Sequence, residues 1–109
     1  MDLDSVCTDL NAVTRALAKL VYADLLNDER LIDIQPQFER SLNLFYLSAQ
    51  KEEDNQQVAY IPLPHSKDID FKQINGLQKL LPNSLIFMAI ADNTGNILYY
   101  QITEGFNEK

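Results

Sequence analysis

The chain has 109 residues, 46% hydrophobic and 23% charged, a composition typical of a folded globular protein rather than a disordered or collagen-like one. Sixteen acidic residues against nine basic ones give a net charge of -7, and the basic residues are not clustered. We therefore do not expect a protein that binds nucleic acid by itself, because such proteins present a basic surface to the phosphates. This length predicts one domain, residues 1–109.

Two features favour an intracellular location. No apolar stretch reaches the roughly 18 residues that a membrane span needs, and the first five residues, Met-Asp-Leu-Asp-Ser, are acidic where a targeting peptide would be basic. Cys7 is the only cysteine, which excludes an internal disulfide and fits a reducing compartment.

The first predicted element is a helix over residues 4–27. Apolar residues recur there with the spacing of one helical face: Val6, Leu10, Val13, Leu17 and Leu20, with Ala16, Val21 and Leu25 flanking that stripe. Asp4 or Ser5 is a candidate N-cap. We expect the stripe to face the core.

A β-rich region follows. Residues 31–50 predict one or two strands, with Pro36 at an edge or turn. Residues 51–57 are a polar surface loop, and residues 58–63 predict a third strand that Pro62 and Pro64 end.

The last third of the chain predicts a helix and a hairpin. Residues 68–81 have the pattern of a helix, with Asp68 or Ser66 as its cap and with Ile69, Ile74, Leu77, Leu80 and Leu81 on its inner face. Residues 84–91 are almost wholly apolar, as in a strand covered on both faces. Gly95 supplies the positive φ that a turn over residues 92–96 needs, before a final strand from residue 97 to about 103. We expect an α/β fold, a mixed sheet flanked by two helices and ending in a β-hairpin.

Catalytic residues are hard to find in this sequence. His65 is the only histidine, and a general-base role would need helpers such as Tyr60 and Lys67. The plainer interpretation of His65 is a surface histidine before a helix, and that of Cys7 is a structural cysteine. We favour these plainer interpretations.

Metal and phosphate sites are not indicated either. Residues 68–72 (Asp-Ile-Asp-Phe-Lys) carry an acid-x-Lys pattern found in metal-dependent nucleases, but acidic residues at a helix start are common for dipole reasons alone. One His and one Cys are too few for a zinc site of the usual type. The three glycines form no phosphate loop. We expect no cofactor.

The predicted hairpin carries a recognisable pattern. Residues 89–100, Ala-Ile-Ala-Asp-Asn-Thr-Gly-Asn-Ile-Leu-Tyr-Tyr, resemble the C-terminal hairpin of the tRNA-splicing endonuclease (tRNA-intron endonuclease) family, roughly an apolar strand followed by Asp-x-x-Gly-Asp-apolar-x-Tyr-Tyr. Residues 21–26, Val-Tyr-Ala-Asp-Leu-Leu, resemble the family's helix near the start of the nuclease domain. Residues 99–106 are most similar to the smallest, non-catalytic subunit of the eukaryotic enzyme. The resemblance implies a restriction-endonuclease-like fold.

The resemblance also implies the absence of catalysis. Catalytic subunits of this family cleave RNA without metal through a Tyr, His and Lys triad, with the lysine at the start of the strand that enters the hairpin. Here that stretch is residues 83–86, Asn-Ser-Leu-Ile, and no lysine occurs between Lys79 and Lys109. His65 follows Tyr60 more closely than in the family, so neither triad role is carried over.

The resemblance implies a partner at the hairpin. In the family the last strand of each subunit pairs with a partner subunit, and the acidic turn before it inserts into a catalytic subunit across a heterotetramer. The matching residues are Asp92, Asn96, Ile97, Leu98, Tyr99, Tyr100 and Ile102. Asn96 stands where the family often has a second Asp, so a charged contact would depend on Asp92, with Glu104 and Glu108 beyond the strand.

The residues of the last strand themselves favour an interface there. Residues 97–102 have neither a charge nor a proline to protect an edge, and tyrosine is an enriched anchor at interfaces. Alternatively, Tyr99 and Tyr100 simply point toward two core faces.

We expect a non-catalytic scaffold subunit of a tRNA-splicing endonuclease, which meets pre-tRNA only through its partners. The resemblance suggests the nucleus, or the cytoplasmic face of mitochondria as in some fungi. Two rivals remain: a self-associating adaptor unrelated to tRNA, and a small metal-independent RNase using Tyr60, His65 and Lys67.

Overall fold

A computed structural model describes residues 12–64, 70–92 and 94–102 of the chain. The predicted elements at residues 1–11, 65–69 and 103 onward, including Cys7, His65, Lys67 and Asp68, lie outside these residues. The elements are α1 (Ala12–Leu26), β1 (Leu31–Glu39), a 3-10 turn (Arg40–Leu42), β2 (Leu44–Lys51), β3 (Gln57–Pro64), α2 (Phe71–Leu80), β4 (Leu85–Ala91) and β5 (Ile97–Ile102). This order confirms the predicted α/β class.

The five strands form one mixed sheet. They lie in the order β1-β2-β3-β4-β5, which is also their order along the chain. Only β3 and β4 are parallel; the other three neighbouring pairs are antiparallel. A parallel pair needs a crossover connection, and α2 lies in it.

Each face of the sheet is covered by one helix. On one face Ala18, Val21 and Leu25 of α1 pack on alternate residues of the strands, among them Leu47 and Ala89. On the other face Ile74 and Leu77 of α2 pack on the intervening residues, which include Leu44, Ala59, Ile61, Ile86 and Met88. Successive residues of β4 from Leu85 to Ile90 join the two core clusters in turn, which explains why β4 is apolar at every position: both of its faces lie in a core.

The inner face of α1 differs from the predicted one. Val13 is 61% exposed and Leu20 is also exposed, whereas Ala18 and Val21 are fully buried. The buried stripe is rotated by about 100°, one residue, from the predicted one. Small side chains there let the helix lie close to the sheet, and a period of 3.6 cannot choose between two adjacent apolar stripes.

Three prolines lie within strands: Pro36 in β1, and Pro62 and Pro64 in β3. Pro36 is buried in β1 opposite Leu47, at the edge of the sheet as predicted, after an irregularity between Ile32 and Gln35. The third strand, predicted over residues 58–63 and stopped by Pro62 and Pro64, ends at Pro64, and Pro62 does not interrupt it. Pro62 is tolerated because the ladder to β2 ends at Tyr60, so only β4 is paired with β3 beyond that point.

The second helix is shorter than predicted. It begins at Phe71, and its N-cap is Asp70 rather than Asp68 or Ser66. Leu80 is half exposed instead of facing the core. Gly76 lies against the 3-10 turn, where an added Cβ would come within 2.6 Å of a Leu42 methyl group, so a glycine in mid-helix permits close packing here.

Replacing Asp70 by alanine should lower the free energy of unfolding by about 1 kcal/mol. Its Oδ1 accepts hydrogen bonds from the backbone N–H groups of Lys72 at 3.0 Å and Gln73 at 3.3 Å, which otherwise have no helical partner. Asp70→Asn keeps an acceptor and should lose less. Urea unfolding of both variants checks this; equal losses would mean that charge, not capping, is what matters.

Candidate interaction site

Strand β5 is an edge of the sheet. In the part of the chain that the structure describes, its neighbour is β4 alone, paired from Ile86 opposite Ile102 to Ala91 opposite Ile97. The other long side of β5 therefore carries backbone N–H and C=O groups with no strand beside them. It contains neither a charged residue nor a proline.

Side chains of β5 alternate between the two faces of the sheet. Ile97 and Tyr99 are half-buried on the α1 face. Leu98 and Tyr100 lie on the α2 face, where they remain 58% and 50% exposed. Ile102, on that same face, is buried against the core. The residues predicted for the interface thus separate into an exposed pair, a half-buried pair and one core residue.

The exposed pair continues an apolar surface. Leu98 lies opposite Ile90, which is half-buried, and Tyr100 lies opposite Met88. The core cluster under α2 includes Met88 and Ile102 but neither Leu98 nor Tyr100, which remain exposed. The result is an apolar strip along an unpaired edge.

The turn before β5 is held by Asp92. Its Oδ1 accepts hydrogen bonds from the backbone N–H groups of Thr94 at 2.9 Å and Asn96 at 3.0 Å, and from the Thr94 hydroxyl at 2.7 Å. The Asn96 amide donates in turn to Thr94 Oγ1 at 3.0 Å. Gly95 has φ of 89°, as the turn prediction required. Asp92 and Asn96 therefore have a structural role in shaping the turn.

Three aromatic rings meet on the α1 face. Tyr60 stacks on Phe87 of the neighbouring strand, with ring centroids 5.2 Å apart, and meets Tyr99 edge-on at 5.7 Å. Tyr99 lies opposite Ala89, whose small side chain is fully buried beneath the rings. The Tyr99 hydroxyl donates a hydrogen bond of 2.5 Å to Asp24 of α1. This contact joins the edge strand to the helix.

Tyr99 is held in its protonated form. Burial, together with the hydrogen bond to Asp24 and the charge of that carboxylate, raises the pKa of Tyr99 far above the usual tyrosine value. Burial also raises the pKa of Tyr60. The Asp24 contact was not foreseen from the sequence, because 75 residues separate its partners.

The catalytic candidates are not assembled by the described residues. Tyr60 is only 8% exposed and lies within the aromatic cluster. Asp70, part of the acid-x-Lys pattern, caps α2. At the start of β4 the chain has Ser84 and Leu85 where a catalytic lysine would be expected from the resemblance.

The described ranges 12–64, 70–92 and 94–102 contain no group of three or more His, Cys, Asp or Glu side chains placed to hold one metal ion. Neither helix within them is long and apolar enough to cross a membrane.

Comparison with known families agrees with the hairpin resemblance. A family model, described as Sen15 protein, matches residues 20–108, which is most of the chain. The chain belongs to the Sen15 family. Sen15 is the smallest subunit of the tRNA-splicing endonuclease. The match extends from α1 through β5. A direct search of curated proteins gave no match.

Membership of the Sen15 family gives the edge strand a context. A subunit of a multi-subunit endonuclease has other subunits as neighbours. Among the described residues, β5 has a strand on one side only, so its other side is an edge to which a strand can be added.

Replacing Tyr99 by phenylalanine should lower stability at neutral pH by roughly 1 kcal/mol, the loss of one hydrogen bond, and should change the response to alkali. Above pH about 10 the unfolded tyrosine loses its proton while the folded Tyr99 keeps it, so its stabilising contribution disappears as the pH rises. The variant should therefore lose less stability than the parent between pH 9 and about 11.

Urea unfolding across that pH range is the measurement. Asp24→Asn is the companion variant: it removes the carboxylate that disfavours ionisation but leaves the burial of the ring, so its alkaline loss should be intermediate. If the free energy of unfolding falls with pH equally steeply in the parent and both variants, Tyr99 is not the group responsible for the alkaline loss.

Proposed function

We propose that this Sen15 family member is a non-catalytic scaffold subunit of the heterotetrameric tRNA-splicing endonuclease, which removes introns from pre-tRNA. Its strand β5 pairs with a strand of a catalytic subunit, and the turn at Asp92 to Asn96 helps to dock that pair onto the other half of the complex. The observation that carries the proposal is the uncovered edge of β5 with Leu98 and Tyr100 exposed beside it.

The energetics of this edge favour a protein partner. Fully burying a large apolar side chain contributes about 1.5–3 kcal/mol, and Leu98 and Tyr100 each still expose half or more of their surface. Covering both therefore provides roughly 2 kcal/mol before any backbone hydrogen bond is formed along the edge. Strand addition supplies those bonds and fixes the direction of the partner.

The turn supports docking through its rigidity. The hydrogen bonds that Asp92 accepts from Thr94 and Asn96, together with the left-handed Gly95, fix the described residues of the turn relative to one another before any partner arrives. A preorganised loop loses less conformational entropy on binding than a mobile one.

The composition supports a role without catalysis or direct RNA binding. The net charge of -7 leaves the phosphate contacts to the basic surfaces of other subunits. Tyr60 is buried among other rings, and Ser84 and Leu85 occupy the place of a triad lysine.

Replacing both Leu98 and Tyr100 by lysine should weaken the complex with the catalytic subunit by roughly a hundredfold, because a partner strand would then bury unpaired charges. The domain should stay folded, since substitutions at exposed positions change stability by about 0.5 kcal/mol or less each. Co-purification and size-exclusion chromatography of the two co-expressed subunits measure the first effect, and urea unfolding measures the second.

Leu26→Lys is the matched control. Leu26 is 57% exposed, almost the same as Leu98, but lies at the end of α1. The control should leave the complex intact. If the β5 double variant unfolds, its side chains belong to the internal core; if it binds normally, β5 is not the joint. Loss of a homodimer with no effect on the catalytic partner would favour self-association.

Removing His65 should leave RNA cleavage unchanged. In the reconstituted four-subunit complex, His65→Ala and Lys67→Ala should cleave an intron-containing pre-tRNA within about twofold of the parent, since groups outside the reacting centre contribute little to the barrier. The histidine-to-alanine change in a catalytic subunit is the control and should abolish cleavage at its site. Cleavage by the isolated chain, lost in His65→Ala, would establish the RNase alternative instead.

A further inference from the structure

A cavity of about 320 Å³ lies beside the C-terminal end of α1. It opens on the α1 face of the sheet, so it is separated by the sheet from the exposed side chains of Leu98 and Tyr100. Its volume is at the lower end of the range for sites that hold small ligands or single side chains. The scaffold role described above does not use it.

One wall of the cavity is aromatic. It consists of Tyr60, Phe87 and Tyr99, the three rings that meet on the α1 face. The faces of such rings carry partial negative charge and attract cations. Because these rings pack on one another and on buried Ala89, the wall is formed before any ligand arrives.

The opposite rim carries carboxylates. Asp24, Asp28 and Glu53 line the cavity together with two basic residues, Arg30 and Lys51, which leaves a net charge of -1. Arg30 is already occupied: its Nε lies 3.0 Å from Asp28 Oδ1, and its Nη2 donates to Asp28 Oδ2 at 3.2 Å. Of the residues that line the cavity, Tyr99 is the one that donates a hydrogen bond to Asp24, and its hydroxyl is uncharged. The unbalanced negative charge therefore lies beside the aromatic wall.

We propose that this cavity is a receptor for one arginine side chain, whose guanidinium packs on the ring of Tyr99 in the aromatic wall and donates to the carboxylates of Asp24 and Glu53. Arginine suits the site better than lysine, because its planar group stacks on aromatic faces and donates in two directions at once. Its weaker hydration also makes transfer into a partly apolar cavity less costly.

A nucleotide base would also stack on aromatic rings, but the charges disfavour it. A phosphate attached to that base would approach three carboxylates and two basic residues, of which Arg30 is already paired with Asp28 and Lys51 is the other. Base recognition on aromatic platforms relies on a positively charged surround, and this rim is negative on balance.

The position of Tyr99 indicates where the arginine comes from. Tyr99 lies on the edge strand, and a strand added beside β5 would run about 4.8 Å from it. Every second residue of that strand points to the α1 face, where a long side chain can reach over Tyr99 into the cavity. The source of the arginine, a neighbouring subunit, rests on the proposed function; the recognition of the guanidinium by the cavity does not.

The first test uses the isolated full chain and a small probe. N-acetyl-arginine methylamide is titrated into the isotope-labelled protein, and amide and aromatic NMR shifts are followed. Shifts should saturate at Asp24, Tyr60, Phe87 and Tyr99 and leave Leu98 unchanged. The citrulline analogue has the same shape without the charge, and it should bind at least about fivefold more weakly. Uridine monophosphate tests the nucleotide reading.

Matched variants separate the cavity from the general acidity of the chain. The double change Asp24→Asn and Glu53→Gln should weaken arginine binding by roughly fivefold or more. The control is the double change Glu29→Gln and Glu52→Gln, which removes the same amount of charge. Glu29 follows Asp28 and Glu52 precedes Glu53 in the sequence, but neither lines the cavity, so arginine binding should be retained. Equal binding of the arginine and citrulline probes, equal effects of the two double variants, or tighter binding of uridine monophosphate would each overturn the proposal.

The second test uses the assembled complex. The cavity double variant should dissociate from the catalytic subunit several-fold faster than the Glu29 and Glu52 control. If it does not, while the isolated chain still binds the arginine probe, the cavity takes its arginine from elsewhere and the source is wrong. If β5 variants fail to disrupt the complex but the cavity variant does, the proposed strand pairing fails and the arginine contact stands.

Discussion

The parallel pairing of β3 with β4 is the constraint on which the rest of this structure depends. Because parallel neighbours cannot be joined by a tight turn, the chain must cross over through α2, which then covers one face of the sheet. The short turn after Ala91 allows β5 only an antiparallel place, on the outer side of β4. An edge strand near the C-terminal end is therefore a consequence of the central pairing.

That edge has two different faces, which explains how one strand can serve two purposes. Leu98 and Tyr100 point to the α2 face, where they stay half or more exposed and remain available to a neighbour. Tyr99 points to the other side, where Asp24 and Tyr60 fix it within the molecule's own packing. Successive residues of a strand face opposite ways, so neighbouring tyrosines have separate roles: one belongs to the surface and one anchors the strand to α1.

For a Sen15 family member this arrangement is consistent with an old nuclease fold put to structural use. At the start of β4, where the resemblance would place a triad lysine, the chain has Ser84 and Leu85, and Tyr60 nearby is packed against Phe87. Acidic and basic groups beyond the end of α1 line a cavity. Under the proposed scaffold role, the edge strand and this cavity are the two features suited to contacting other protein chains.

The sequence by itself determined what depends on near neighbours: the order of helices and strands, the turn with Gly95, and the apolar edge strand after it. It did not determine which stripe of α1 meets the sheet. The helical spacing allows a stripe through Val13 and Leu20 or one through Ala18 and Val21, and packing against the sheet selects the second, which has the smaller side chains. The sequence predicted a third strand over residues 58–63, close to the observed β3, but it did not show why Pro62 is accepted there: only the tertiary structure shows that β2 stops pairing at Tyr60. The resemblance identified the hairpin, but not the separation of its residues between surface and core. Nor could it reveal the cavity, which joins α1, β3, β4 and β5 across contacts that no local pattern encodes.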